Sequence, residues 1–144
     1  MNNFIFQNAT KVYFGKGCVK EYLTCLTKNA NTILLAYGGG SIKKTGVYDE
    51  ITGILKEAGK TMVEFSGIMS NPTYAKVQEG AKLARESGAD MILAVGGGSV
   101  MDCCKAVSLA ARYDGDIWED FWARPGVIDL APLPLGVVVT VAGT

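Results

Sequence analysis

The chain contains no histidine. A serine–histidine or cysteine–histidine nucleophile pair therefore cannot be built within it. Any general base must be a carboxylate, a lysine, a tyrosine or a group from outside the chain. The cysteines are few as well: Cys18, Cys25, Cys103 and Cys104 form no Cys-x-x-Cys pair. Without histidine they do not make a zinc site. Cys103 and Cys104 fall on the apolar face of a helical pattern and read as buried small hydrophobes in a reducing compartment, with a redox role as the alternative. An excess of either charge is also missing: 14 Lys+Arg balance 14 Asp+Glu, for a formal net charge of +0. That argues against nucleic acid as the main partner. No apolar run reaches the length of a membrane span. The start, MNNFIFQNATK, lacks the charged n-region and apolar h-region of a signal peptide. The reading is of a cytoplasmic protein with neither a membrane nor a nucleic-acid partner.

Glycine is abundant, at 18 of 144 residues, and the composition is 49% hydrophobic and 19% charged. These values describe one globular domain. A chain of this length buries roughly 68–70% of its unfolded surface, enough for a core without disulfides.

Periodicity predicts alternating strands and helices. Residues 4–14, FIFQNATKVYF, hold two short alternating runs around Asn8-Ala9-Thr10 and predict a hairpin or a pair of edge strands. A short helix follows with Val19, Tyr22, Leu23 and Leu26 at helical spacing, then a buried strand over Thr32–Tyr37. Residues 46–58 form an amphipathic helix on Val47, Tyr48, Ile51, Ile54, Leu55 and Ala58, ended by Gly59. The next strand is Thr61–Phe65. Asn71-Pro72-Thr73 starts a helix reaching about Ser87, with Pro72 in its first turn and Gly88 at its end. Residues 91–95 are a strand and 99–112 a helix, whose Ser99-x-x-Asp102 start has the form of a capping box. A short helix over 116–122 and an apolar strand over 135–141 complete the pattern. Strands apolar on both faces and alternating with helices indicate an α/β fold: Rossmann-like, doubly wound, with a mainly parallel sheet covered on both faces. Ligands in such folds bind at the carboxyl ends of the strands.

Two turns at that edge carry the same residues: Gly38-Gly39-Gly40-Ser41 after TILLAY and Gly96-Gly97-Gly98-Ser99 after MILAV. Glycines between a buried strand and a helix expose backbone N–H groups where an anion such as a phosphate can sit. The strict G-x-G-x-x-G fingerprint is absent from both. For the first turn, ligand binding and simple tight turning stay open. For Asp102, helix capping and ligand contact stay open, since its carboxylate would repel a phosphate. Trp118, Phe121 and Trp122 read as packing residues before a stacking site.

Together these residues resemble a known family. Lys11-Val12-Tyr13-Phe14-Gly15-x-Gly17, Tyr37-Gly38-Gly39-Gly40-Ser41, Asn71-Pro72, Ala94-Val95-Gly96-Gly97-Gly98-Ser99-Val100-x-Asp102-x-x-Lys105-Ala106 and Thr140-x-Ala142-Gly143-Thr144 look like the N-terminal half of iron-containing (group III) alcohol dehydrogenases. The similar branch is the NADP-dependent butanol dehydrogenase type. The resemblance implies a dinucleotide-binding domain over 1–144. A second, helical domain would follow, in which one aspartate and three histidines hold iron or zinc. It implies that metal-ligating and catalytic residues lie outside this chain, that the chain is a piece of a longer enzyme and inactive alone, and that the whole enzyme is a homo-oligomer, a dimer. The substrate would be a small primary alcohol or aldehyde such as butanol or butyraldehyde. Gly97, Gly98 and Ser99 would hold the pyrophosphate. Asn71, Thr140 and Thr144 would contact the nucleotide, with Asp102 near it, and Gly38, Gly39 and Ser41 would surround the adenosine ribose. NAD-preferring relatives carry an aspartate at the position of Gly39. Against a 2′-phosphate about 4 Å away, at an effective dielectric near 20, that charge would cost about 4 kcal/mol. Its absence, the Ser41 hydroxyl and the charge of Lys43 or Lys44 point to NADP(H) over NAD(H). A dehydroquinate synthase or glycerol dehydrogenase relative, or a stand-alone nucleotide-binding module, are the competing expectations.

Overall fold

The structure, a computed structural model, describes residues 3–124 and 128–141. In chain order it runs α1 (Cys18–Leu26), β1 (Thr32–Tyr37), the single-turn helix α2 (Ser41–Lys44), α3 (Val47–Glu57), β2 (Thr61–Phe65), α4 (Tyr74–Ser87), β3 (Met91–Gly96), α5 (Gly98–Ala110) and β4 (Leu135–Val139). A π-helical turn, Trp118–Trp122, lies between α5 and β4. The strands form one parallel sheet in the order β2-β1-β3-β4. Among the described residues no helix is long and apolar enough to cross a membrane.

The two central strands explain the architecture. Every residue of β3 is buried, and all of β1 after Thr32. A strand covered on both faces has no position for a solvated side chain, so it reads as an unbroken apolar run. The pleat sends Leu34, Ala36, Ile92 and Ala94 to one face, against Val77, Ala81 and Ala84 of α4 and Val100, Cys104 and Val107 of α5. Ile33, Leu35, Tyr37, Leu93 and Val95 meet Leu23 of α1 and Ile51 and Leu55 of α3 on the other. Gly80 lets α4 come close: a Cβ there would lie 2.7 Å from the Phe65 ring and 2.8 Å from Val107. Cys103 and Cys104 are core residues, and burial pushes the Cys104 thiol up to about 12. They are packing groups and not reactive thiols.

These crossovers create a division. The link from β1 to β2 passes over the α3 face, whereas those from β2 to β3 and β3 to β4 pass over the α4–α5 face. The chain thus leaves the neighbouring strands β1 and β3 toward opposite sides. This is the topological switch point of a doubly wound sheet, where a crevice opens beyond the carboxyl ends.

Several local expectations differ. Residues 3–14 form no strand, and Phe4, Ile5, Phe6, Val12 and Phe14 are exposed. An isolated two-stranded hairpin is marginal in water, and no described sheet edge takes these runs up. Only the local turn is present, with the Thr10 N–H donating to Asn8 Oδ1 at 2.9 Å. Helix α4 begins after Thr73, whose side chain accepts from the Lys76 N–H, so Pro72 precedes the cap. The last strand stops at Val139, and the 116–122 helix is the shorter π-helical turn.

Candidate functional site

The register pairs Tyr37 with Val95, so the two glycine turns leave the sheet side by side at the switch point. Not all their glycines serve the same purpose. A Cβ at Gly96 would lie 2.6 Å from Val100 Cγ2, so α5 can cross the end of β3 only over a bare backbone. At Gly38 a Cβ would approach the Ile68 carbonyl to 3.1 Å, and the Gly38 carbonyl accepts the Gly67 N–H at 2.9 Å. Those two glycines answer to internal packing. At Gly39, Gly40 and Gly98 a Cβ would meet nothing within 4 Å, and at Gly97 only the Val141 carbonyl at 3.9 Å. None of these four adopts a positive φ. Neither dihedral nor packing requires glycine there, so the cradle is open for a group that approaches the backbone closely.

The second turn opens directly onto α5. Gly97 is its N-cap, no side chain among the described residues caps it, and its first turn holds no acid. Among the described residues, no side chain covers the positive end of this 13-residue helix, which faces the cradle. The expected capping box is not made, because the helix starts at Gly98 and leaves Ser99 inside it. Asp102 does not cap either. Its side chain is 73% exposed, 3.7 Å from the Lys105 ammonium on the next turn.

The remaining candidates gather at the same edge, with one outside view. The β2–α4 loop is tied to the first turn through the Gly67 N–H on the Gly38 carbonyl and the Ile68 N–H on the Tyr37 carbonyl at 3.3 Å. Within that loop Asn71 sits at φ 52, a left-handed conformation that asparagine tolerates better than most residues. The Thr140 N–H donates to the Gly96 carbonyl at 3.1 Å, which brings the end of β4 beside the second turn with the threonine exposed. Thr144 lies outside the described residues. Shallow hollows of about 380 Å³ beside Tyr74, Arg85 and Asp116, and about 590 Å³ beside Lys20, Asp49 and Glu57, lie on the helical flanks away from this edge.

One group in this region escaped the sequence reading. Glu64, at the end of β2, accepts the Tyr37 hydroxyl at 2.6 Å and also the Tyr48 hydroxyl. The Lys43 ammonium stands 4.0 Å from the same carboxylate, 5.3 Å from the Tyr37 ring centre and 4.7 Å from that of Tyr48. The hydroxyls of Tyr37 and Tyr48 hold the Glu64 carboxyl below its usual range, and the bond to Glu64 pushes the Tyr48 phenol up to about 12. A lone glutamate in the strand TMVEF was the available signal, but its partners come from three other elements.

The family model for iron-containing alcohol dehydrogenases matches residues 9–144. The chain belongs to this family. As an iron-containing alcohol dehydrogenase chain it is 46% identical over 144 residues to the probable NADH-dependent butanol dehydrogenase 2 of Bacillus subtilis strain 168, covering all of this chain and 36% of that one. It is 40% identical over 146 residues to the NADPH-dependent aldehyde reductase YqhD of Escherichia coli K12, covering all of this chain and 37% of the relative. The crystal structure of NADH-dependent butanol dehydrogenase A from Thermotoga maritima superposes with a TM-score of 0.88 at 42% identity, over 99% of this chain and 35% of that one. The chain thus spans little more than a third of the length of the curated relatives it matches. Membership accounts for the α/β fold, and the reactions named for these relatives use small alcohols and aldehydes.

Proposed function

We propose that this chain is the dinucleotide-binding domain of a metal-dependent alcohol dehydrogenase. Its reaction would pass hydride between NADP(H) and a primary alcohol or aldehyde such as butanol or butyraldehyde. The observation that carries this reading is the open glycine cradle at the switch point, facing an uncapped helix N-terminus. The bound nicotinamide supplies the hydride chemistry. The chain's own residues bind and orient. Backbone N–H groups of Gly97, Gly98 and Ser99 take the pyrophosphate, where the α5 dipole favours each negative charge by about 0.3–1 kcal/mol. Gly38, Gly39 and Ser41 surround the adenosine ribose, and Asn71, Thr140 and Thr144 line the nucleotide. Asp102 stands one turn into α5 near the cofactor, 3.7 Å from the Lys105 ammonium.

A metal does not fit this part of the protein. The chain has no histidine, and among the described residues no group of three or more histidine, cysteine, aspartate or glutamate side chains could hold an ion. No step in this chain runs through a metal, and the 144-residue chain binds nucleotide without turning substrate over.

The preference for NADP(H) rests on Gly39. No carboxylate stands there to take the ribose hydroxyls or repel a 2′-phosphate, and Ser41 is free to donate. Relatives at similar identity include NADH- and NADPH-dependent enzymes, so measurement must separate the two. In fluorescence titrations NADPH is expected to bind more tightly than NADH, and Gly39→Asp is expected to reverse the order. NADH binding as tightly as NADPH to the unmodified chain would sink the preference.

A further inference from the structure

We infer that Glu64 is a specificity-determining residue that restrains Lys43 and counters its charge, and so weakens the pull of this site on a 2′-phosphate. This rests on the reading above that the 38–41 turn receives the adenosine ribose.

Lys43 is the first cation after that turn, two residues beyond Ser41 on α2. Left free, its ammonium would be the natural partner for a phosphate on the ribose. It is not free. It lies over the rings of Tyr37 and Tyr48 and 4.0 Å from the Glu64 carboxylate. The carboxylate is itself fixed, since the two tyrosine hydroxyls donate to its two oxygens. β2 pairs with β1 so that Glu64 stands beside Leu35, near the carboxyl edge where the turn begins. Four side chains from β1, α2, α3 and β2 thus gather one cation and one anion beside the proposed ribose site.

The negative charge makes only a small contribution to the fold. A glutamine at 64 would still offer an acceptor oxygen to a tyrosine hydroxyl. The side chains of Lys43 and Glu64 are 50% and 44% exposed, and ion pairs so solvated add little to stability. A 2′-phosphate, by contrast, carries close to two negative charges at neutral pH and responds to one unit of charge nearby. NADH has no such group. The charge of Glu64 therefore acts on the difference between the cofactors rather than on their shared parts.

The test is a set of fluorescence titrations of the 144-residue chain with NADPH and NADH at low and moderate salt. Wild type, Glu64→Gln, Lys43→Met and the double variant are compared. Glu64→Gln is expected to raise the NADPH:NADH affinity ratio roughly three- to tenfold, with the gain shrinking as salt rises. Lys43→Met should lower the ratio, and most of the Glu64→Gln gain should vanish when Lys43 is absent. A purely structural Glu64 would weaken both cofactors together and leave the ratio unchanged. A ratio constant within about twofold in Glu64→Gln overturns the inference while leaving the nucleotide reading intact. A gain that survives in full without Lys43 overturns the route through Lys43. Failure of the wild-type chain to bind either nucleotide removes the reading and this inference with it.

Discussion

Gly96 and Gly98, two residues apart, have opposite grounds for lacking a side chain. Gly96 is pressed against Val100, whereas Gly98 faces open space. Gly96→Ala is therefore expected to destabilise the fold by about 1–3 kcal/mol, the usual cost of overpacking. Gly98→Asp should leave stability unchanged or raise it slightly, because a negative charge in the first turn of α5 suits the helix dipole by about 0.3–1 kcal/mol. The same carboxylate should weaken nucleotide binding roughly tenfold or more by repelling the pyrophosphate. Denaturant melts and titrations on the two variants read these effects separately, and parallel losses in both would remove the cradle from its assigned role. The Glu64 cluster predicts a pH response of known sign. Glu64 titrates below its ordinary 4.5 in the fold, so its contribution is present above that value and is lost as pH falls through the lowered one. Tyr48 is raised from 10.0 to about 12, so its contribution is present below pH 10 and is lost as pH climbs toward 12. Ultraviolet titration should place Tyr48 among the late-ionising phenols with Tyr22, Tyr74 and Tyr113, and Glu64→Gln should bring Tyr48 alone back toward 10.0.

Among elements, α4 and α5 fit closely. They share one face of the sheet and meet where Gly80 passes Phe65 and Val107 at a separation that excludes a methyl group. Gly80→Ala improves helix propensity by up to about 1 kcal/mol on its own. Here overpacking of about 1–3 kcal/mol wins, and thermal melting should show a net loss. A gain in melting temperature would mean that α4 can shift on the sheet. The start of α5 shows why a residue pattern can name a helix yet misplace its cap. Ser99-x-x-Asp102 has the composition of a capping box, but the backbone turns helical at Gly98, and the extended residue is Gly97 at φ −96 and ψ −165. Cap identity follows dihedrals, and these are set by how the chain leaves β3, which Gly96 alone permits.

For the molecule as a whole, the N-terminal segment has a strand-like pattern without a sheet to join. Phe4 at 78%, Ile5 at 99%, Phe6 at 80% and Phe14 at 97% exposure form a run of apolar surface unusual for a monomer in water. The isolated 144-residue chain is therefore expected to self-associate, and sedimentation should show a mean mass that rises with concentration. A single sharp monomer boundary at high concentration would contradict this.

Local rules were enough for much of this protein. Unbroken apolar strands, amphipathic helices and glycine stops identify a parallel, doubly wound sheet, because each depends on residues close in the chain. The repeated glycine-serine turns fall at the carboxyl edge of the sheet for the same reason. The tertiary structure decided the rest. Only the crossovers show that the two turns diverge at a switch point, and only packing separates the glycines that Val100 and Ile68 require from those left open. The assembly of Tyr37, Lys43, Tyr48 and Glu64 was invisible in sequence, since strand pairing and helix docking bring together residues with no periodic relation. The alternation at 4–14 is a strand pattern without a pairing. A strand exists only where another backbone completes its hydrogen bonds, and that is settled by the fold around it and not by the run itself.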